Sequence, residues 1–359
     1  MCTVALLLSY THDIPFDNPA SRYATIDSLV HQQTLDISKS PFARLTVDKI
    51  HLQQEQFSTK PPLLSWATAG LYRLYATLTQ RTLHTHPRET LYVLNLMIGL
   101  TSTLFLLFFT YKLLLLWTED LNLRIIGFLT MALGQLGLAY ATTLNNHTPS
   151  AAALLAAFYF LYKKHDTQRA ANINLALAGF LLGCATAFEH GAAVLSACLF
   201  LYALRTRAKS TLTFLLPGAL LPMLLNSYLN HLMLGTWLPI QMQPELYSAT
   251  ENYWHNQQQH LIDATQPPKW RYLFNLLIGH HGIFSFNPVL LFALPTLSFA
   301  LRKRTSSFHE ALAVSVSLCL MLAYYGIRTH NYGGICTGAR WFILILPMLI
   351  LFVLRFMEE

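Results

Sequence analysis

Charge is what this sequence has least of. Asp, Glu, Lys and Arg make up 11% of the 359 residues, while 53% are hydrophobic. A water-soluble domain carries about 25% charged residues. A water-wetted surface needs more charge than this, so a soluble enzyme is excluded and a bilayer-facing surface is indicated. Cysteine is sparse as well. Cys2, Cys184, Cys198 and Cys319 fall in apolar runs and only Cys336 sits in a polar connection. That leaves neither a disulfide framework nor a metal-ligand spacing, and the cysteines read as small hydrophobes. No His-Glu-x-x-His pattern occurs, and no Asp-x-Asp pair lies in the segments assigned below to the outer side. No basic stretch precedes the apolar Met1–Tyr10, which is also too short to cross a bilayer. It reads as the outer half of a first span. Internal repeats and low-complexity linkers are absent, so one integral membrane domain over residues 1–359 is the simplest organisation.

What is present is a series of apolar runs, at about 91–117, 125–144, 149–162, 172–188, 191–204, 212–234, 283–301, 310–327 and 341–355. They predict an all-α polytopic protein with about nine to ten spans. Basic residues mark alternate connections: Arg124; Lys163, Lys164 and Arg169; Arg205, Arg207 and Lys209; Arg302, Lys303 and Arg304; and Arg355. The intervening Asn145-Asn146-His147 and Glu189-His190 connections carry no Lys or Arg. By the positive-inside rule the first set, with the C-terminus, is cytoplasmic. The net charge of +7 then reflects topology rather than a nucleic-acid partner. Two long segments, 11–90 and about 235–282, fall on the outer side, and residues 91–355 form the bundle.

The first outer segment is patterned. Asn18-Pro19 is a helix start, because Asn caps and Pro fits the first turn. Tyr23, Ile26 and Val30 follow at helical spacing, with Asp27 on the polar face. Lys60-Pro61-Pro62 opens a second helix, on which Leu63, Ala67, Leu71, Leu74 and Leu78 share one face near Trp66, Tyr72 and Tyr75. Both read as interfacial amphipathic helices. The intervening FARLTVDKI is β-branched and charged and reads as a strand-like hook. Further on, His281-Gly282 and Asn287-Pro288 mark a re-entrant element.

Three segments, NPASRYATIDSLVHQQTLDI (18–37), TVDKIHLQQEQFSTKPPLLSWATAGLY (46–72) and NYGGICTGARWFILILP (331–347), together carry a resemblance. The chain resembles the GT-C membrane glycosyltransferases, in the bacterial branch related to protein O-mannosyltransferases and lipid A 4-aminoarabinose transferases. The resemblance implies a GT-C-like helical bundle with interfacial helices in a large first outer loop. It implies a polyprenyl-phosphate-linked sugar as donor and an outer-face lipid, glycan or protein as acceptor. It also implies an outer-loop acid as general base and basic residues on the lipid phosphate. The family's Asp-Glu-x-Arg-Tyr arrangement falls on Pro19-Ala20-Ser21-Arg22-Tyr23, so its acid is absent here. Its Lys-Pro motif falls on Lys60, preceded by Thr59.

Glycosyl transfer from a lipid phosphate needs a base, cations on the leaving group and a cleft that positions both substrates. Asp17 and Asp48 are the candidate bases; Asp17 also reads as a helix-cap acid and Asp48 as an ion pair with Lys49. Lys60 combines its charge with exposed backbone N–H groups at a helix start, which makes an anion site. Arg22, Tyr23, Lys49 and Arg340 complete the candidate phosphate contacts. Gly333, Gly334 and Gly338 would let a ligand approach Arg340 closely. His147, Glu189, His190, His280 and His281 sit at outer span ends and are candidate cleft residues, although neighbouring His280 and His281 cannot face one way on a helix. No metal site is read from the spacing, and a divalent cofactor stays open. So do two other functions: a transporter or flippase for a lipid or small solute, and a non-catalytic GT-C relative.

Overall fold

The computed structural model describes residues 1–15, 17–164, 166–243, 245–246, 267–329, 332–333 and 336–358. The centre of the second outer segment, residues 247–266, and Gly334 lie outside the described residues. The chain folds as two compact units, each discontinuous in sequence. One comprises Met1–Ser102, Tyr140–Asn146 and Pro222–Leu261; the other comprises Thr103–Ala139, His147–Leu221 and Ile262–Glu359.

The first unit is built on α1 (Cys2–Tyr10), α2 (Asp17–Asp27), the hairpin of β1 (Lys49–Leu52) and β2 (Glu55–Ser58), and α3 (Pro62–Thr79). The hook region of the sequence is a 3-10 turn, Pro41–Leu45, leading into this antiparallel hairpin, in which Lys49 pairs with Ser58 and Leu52 with Glu55. Its two-residue turn puts Gln53 at φ 57°, the left-handed conformation that tight hairpins require. Pro62 opens α3, and Gln80 closes it in the left-handed region at φ 58°.

The two outer helices differ. α3 exposes Trp66, Leu71, Leu74 and Leu78 and buries Leu64, Thr68 and Tyr72, as an interfacial helix should. α2 has no outward apolar face: every residue from Ala20 to Asp27 is buried. It is enclosed by α3, the 3-10 turn and β2. Asp27, expected on a polar outer face, is fully buried. The core beneath joins Tyr23, Ile26, Phe42, Tyr72, Leu83, Leu94 and Leu144.

Four helical stretches among the described residues are long and apolar enough to cross a membrane: Pro87–Trp117, Gln168–Phe188, Ala192–Leu234 and Phe308–Ile327. This is fewer than the apolar runs suggest, for local reasons. The runs 191–204 and 212–234 are two helices, Ala192–Ser210 and Leu216–Leu234, that follow one another without a loop and so make the single stretch Ala192–Leu234. The expected basic connection between them is a kink at Arg207 (φ −148°, ψ 57°) followed by a π turn, Thr211–Leu215. The run 125–144 breaks after the helix Leu121–Leu133, where Asn287 Oδ1 accepts the Leu136 N–H at 2.9 Å. The run 283–301 breaks at Asn287-Pro288 into a short helix (Ile283–Phe286), a 3-10 turn (Pro288–Phe292) and the helix Ala293–Lys303. In the second unit the helices His147–Tyr162 and Leu346–Glu358 are buried almost all round, with Ala151–Phe158 and Leu346–Leu354 enclosed. A helix apolar on every face belongs inside protein. The long helix Pro87–Trp117 instead exposes Leu104, Phe105, Phe108, Tyr111 and Leu115, as a lipid-facing helix does.

Candidate functional site

In the first unit, the starts of α2 and α3 and the base of the hairpin bring three of the expected side chains together. Lys60 Nζ lies 2.8 Å from Asp48 Oδ2, and both side chains are largely buried. The backbone around them is pinned. Ser21 donates its hydroxyl to the Asp48 carbonyl at 2.6 Å, and the Thr59 N–H reaches the same oxygen at 3.0 Å. The Lys60 N–H donates to Ser58 Oγ at 3.1 Å, and the Ser21 and Ser58 hydroxyls meet at 2.6 Å. Asp17 stands beside this pair, at the surface. Its Oδ1 accepts the Val47 N–H at 3.1 Å and faces the Thr46 hydroxyl at 3.4 Å.

The Asp17 carboxyl is raised above the ordinary carboxylate value. Desolvation is the largest cause and the Asp48 charge the second; the Val47 N–H, Lys60 and the Thr46 hydroxyl pull the other way. Two carboxylates thus share one lysine. Asp48 pairs with Lys60, not with its sequence neighbour Lys49, whose Nζ instead donates to the Ala43 carbonyl at 2.6 Å. Burial lowers the Lys49 amine.

Arg22 and Tyr23 face inward. Arg22 is 1% exposed. Its guanidinium bonds the Asn18 side-chain and backbone oxygens and, at 2.5 Å, Asn146 Oδ1. Asn18 therefore serves Arg22 rather than capping the helix. Tyr23 is fully buried; its hydroxyl donates to Asn95 Oδ1 at 2.9 Å, and burial pushes its ionisation up.

The remaining candidates lie in the second unit. His147 Nδ1 is 3.2 Å from Glu189 Oε2, and His190 follows in the same connection. Glu189 and Arg340 both act electrostatically on Tyr325, whose ring stacks on Trp341 at 4.3 Å between centroids. Arg340 opens a 3-10 turn, Arg340–Leu344, and its buried Nε has no hydrogen-bond partner among the described residues. A side chain at Gly333, which sits at φ 102°, would press on that nitrogen. His280 and His281 are in a turn, not on a helix, so adjacency does not separate them. Their rings are 4.7 Å apart and both contact Tyr332.

Two crystal structures share this architecture. Both are of ArnT from Cupriavidus metallidurans, one in the apo state and one bound to undecaprenyl phosphate. They superpose with TM-scores of 0.61 and 0.62 over the whole of this chain, at 14% sequence identity. The chain has the ArnT fold. This is the mainly helical, polytopic membrane fold that the sequence led us to expect. The chain spans 58% and 59% of the length of those ArnT chains. No protein-family model and no curated protein matches it.

On this ArnT fold, several site residues had no signal in the sequence. Ser21, Thr46 and Ser58 hold Asp48 and Asp17 through contacts between separate elements, and hydroxyl residues are too common to stand out. Asn146, the partner of Arg22, lies 124 positions along the chain. Tyr325 is a helix residue whose hydropathy hides its acidic and basic neighbours.

Proposed function

We propose that this protein is a membrane glycosyltransferase that moves a sugar from a polyprenyl-phosphate donor to an acceptor at the outer face. The carrying observation is the Lys60–Asp48 pair beside Asp17, on a fold shared with an ArnT crystallised with undecaprenyl phosphate. Lys60 is the phosphate ligand. An incoming lipid phosphate competes with Asp48 for the Lys60 ammonium, and the carboxylate it displaces is then available as a base. The acceptor hydroxyl loses its proton to Asp48 or Asp17 and attacks the anomeric carbon. The bond from that carbon to the phosphate oxygen breaks on the opposite side, the configuration inverts, and polyprenyl phosphate leaves with Lys60 balancing its charge.

Arg22 and Tyr23 act through position, fixing α2 against Asn146 and Asn95, and Lys49 fixes the turn before the hairpin. In the second unit, Arg340 is the proposed anion contact, with His147, Glu189 and His190 as cleft residues beside it and His280 and His281 as further lining. The basic-residue alternation supports an outward-facing site and a cytoplasmic C-terminus in the inner membrane.

The test is transfer of radiolabelled sugar from a panel of polyprenyl-phosphate sugars in membranes holding the full chain. Lys60→Ala is expected to lower transfer by about 100- to 1,000-fold, the scale of losing one preorganised charge-stabilising contact. Loss of transfer in Asp48→Asn or in Asp17→Asn assigns the base. A well-inserted protein that transfers from no donor would overturn the reading, leaving a transporter or a non-catalytic relative.

A further inference from the structure

At the opposite end of α2 from Lys60, about 15 Å along the helix, a second constellation converges. Asp27 Oδ1 lies 2.8 Å from His84 Nε2 and 3.9 Å from His31 Nε2. The three ligand-type atoms all fall within 4.8 Å of one another. The function proposed above gives these residues no role. We infer that Asp27, His31 and His84 form a binding site for Zn2+ or a like-sized divalent transition-metal ion, which clamps the end of α2 to the connection between α3 and the helix Pro87–Trp117.

Four observations carry this. First, Asp27 is fully buried, and a buried carboxylate requires compensation. Its Oδ2 accepts the Ser40 hydroxyl at 2.7 Å, yet among the described residues its Oδ1 receives no hydrogen bond despite the close imidazole. The His84 nitrogen is near that oxygen but not aimed at it, as expected of two ligands directed at a third atom.

Second, the spacing suits an ion. Ligands on a tetrahedral zinc stand about 3.3–3.5 Å apart, given metal–ligand distances of ~2.0–2.2 Å. The observed 2.8 and 3.9 Å bracket that value, so small side-chain rotations complete the geometry.

Third, the backbone presents the ligands. α2 passes into a π turn, Ser28–Gln32, that carries His31, and Gln33 ends it in the left-handed region at φ 56°. Such π segments are frequent at functional sites, because they re-aim one side chain. His84 is held by its own loop: its N–H donates to Thr82 Oγ1 at 3.2 Å, and the neighbouring Leu83 N–H donates to the Tyr72 hydroxyl at 2.9 Å. The same hydroxyl lies 2.8 Å from His31 Nε2 and holds that ring beside Asp27, a contact the nitrogen gives up when it turns to a metal.

Fourth, the donor set selects the metal. Two imidazoles and one carboxylate suit zinc and its first-row neighbours and disfavour Ca2+ and Mg2+, which take oxygen ligands. The His31 and His84 side chains are 30% and 47% exposed, so water can supply the fourth ligand.

The experiment uses the full, untagged chain in detergent, stripped with chelator and titrated with Zn2+ alone. We expect one zinc retained per chain after dialysis and a higher melting temperature with the metal. With Co2+ in its place we expect the visible absorption of a tetrahedral site. His31→Gln and His84→Gln alter part-exposed side chains and should each weaken Zn2+ binding at least ~100-fold, since loss of an outer-shell partner alone costs 10- to 100-fold. Each should also abolish the melting shift. A control, His280→Gln with His281→Gln, should retain the zinc. If the wild-type chain holds no zinc, the cluster is an ordinary Asp27–His84 ion pair and the proposal falls. It falls equally if both single variants keep the metal at wild-type affinity.

Discussion

α2 in the first unit and the helix Leu346–Glu358 in the second are both buried over most of their length, but against different surroundings. The second buries Leu346, Met348, Leu349, Ile350, Leu351, Phe352, Val353 and Leu354, with Phe352 edge-on to Trp117 at 5.4 Å between centroids. Apolar packing dominates there, joined by hydrogen bonds from the Trp117 indole N–H to the Leu351 carbonyl at 2.8 Å and from the Thr118 hydroxyl to Glu358 Oε1 at 2.7 Å. α2 buries Ser21, Arg22, Thr25 and Asp27 along with Tyr23 and Ile26; Ser21, Arg22 and Asp27 Oδ2 bond partners on other segments, while Thr25 bonds back to the Ser21 carbonyl. Buried polarity is costly unless satisfied. A helix that keeps it is held in one register by directional bonds, as a site at each end of α2 would require. The apolar helix can exchange similar side chains with modest effect; the polar one cannot.

The largest effect that separates the two is expected in the apolar helix. Phe352→Ala removes a fully buried ring and leaves a cavity beside Trp117, at a cost of about 3–5 kcal/mol. Phe352→Leu should cost much less, since volume changes are partly absorbed by repacking. Denaturation of both variants in detergent measures the contrast. Equal losses would mean that the ring contact with Trp117, and not volume, holds this helix.

The same difference decides what was legible in the sequence. Hydropathy is a local property, so the long helices Pro87–Trp117, Gln168–Phe188 and Phe308–Arg328 follow directly from their apolar runs. The break at Asn287-Pro288 was also visible, because it depends on a residue lacking an N–H. The polar interior of α2 was not. A helical projection shows that Asp27 is polar but not that Ser40 and two histidines close over it. The Lys60–Asp48 pair was missed because sequence adjacency favoured Lys49, whereas the hairpin register brings residue 48 to residue 60. His280 and His281 were judged as helix residues, and the turn between Gly279 and Gly282 cancels that geometry.

A smaller effect probes the polar helix directly. Tyr23→Phe keeps the ring in the core but removes the hydroxyl that satisfies Asn95 Oδ1. An unsatisfied buried acceptor costs about 1–3 kcal/mol. The double variant with Asn95→Leu should recover part of that loss, because removing both partners is cheaper than removing one. Thermal melts of the two single variants and the double variant give the coupling; strictly additive losses would deny that the bond fixes α2.

The smallest expected effect concerns charge at the open end of α2. The Asp17 carboxyl is raised in the folded protein, so its ionised form is less favourable there than in the unfolded chain. The sign follows from linkage: any stability tied to this group is fully present below its unfolded value and is lost as pH rises through the folded one. At neutral pH, therefore, Asp17→Asn should raise the melting temperature slightly. The gain should shrink as pH falls toward the ordinary carboxylate value of 3.8. Asparagine is a well-matched replacement. It tolerates the positive φ of 42° at this position, and its Oδ1 can still accept the Val47 N–H. Any backbone benefit of the substitution is the same at every pH, so only the pH-dependent part reports the carboxylate. A melting difference constant from pH 7 to pH 4 would remove the charge coupling among Asp17, Asp48 and Lys60, and with it the electrostatic support for Asp17 as a candidate base.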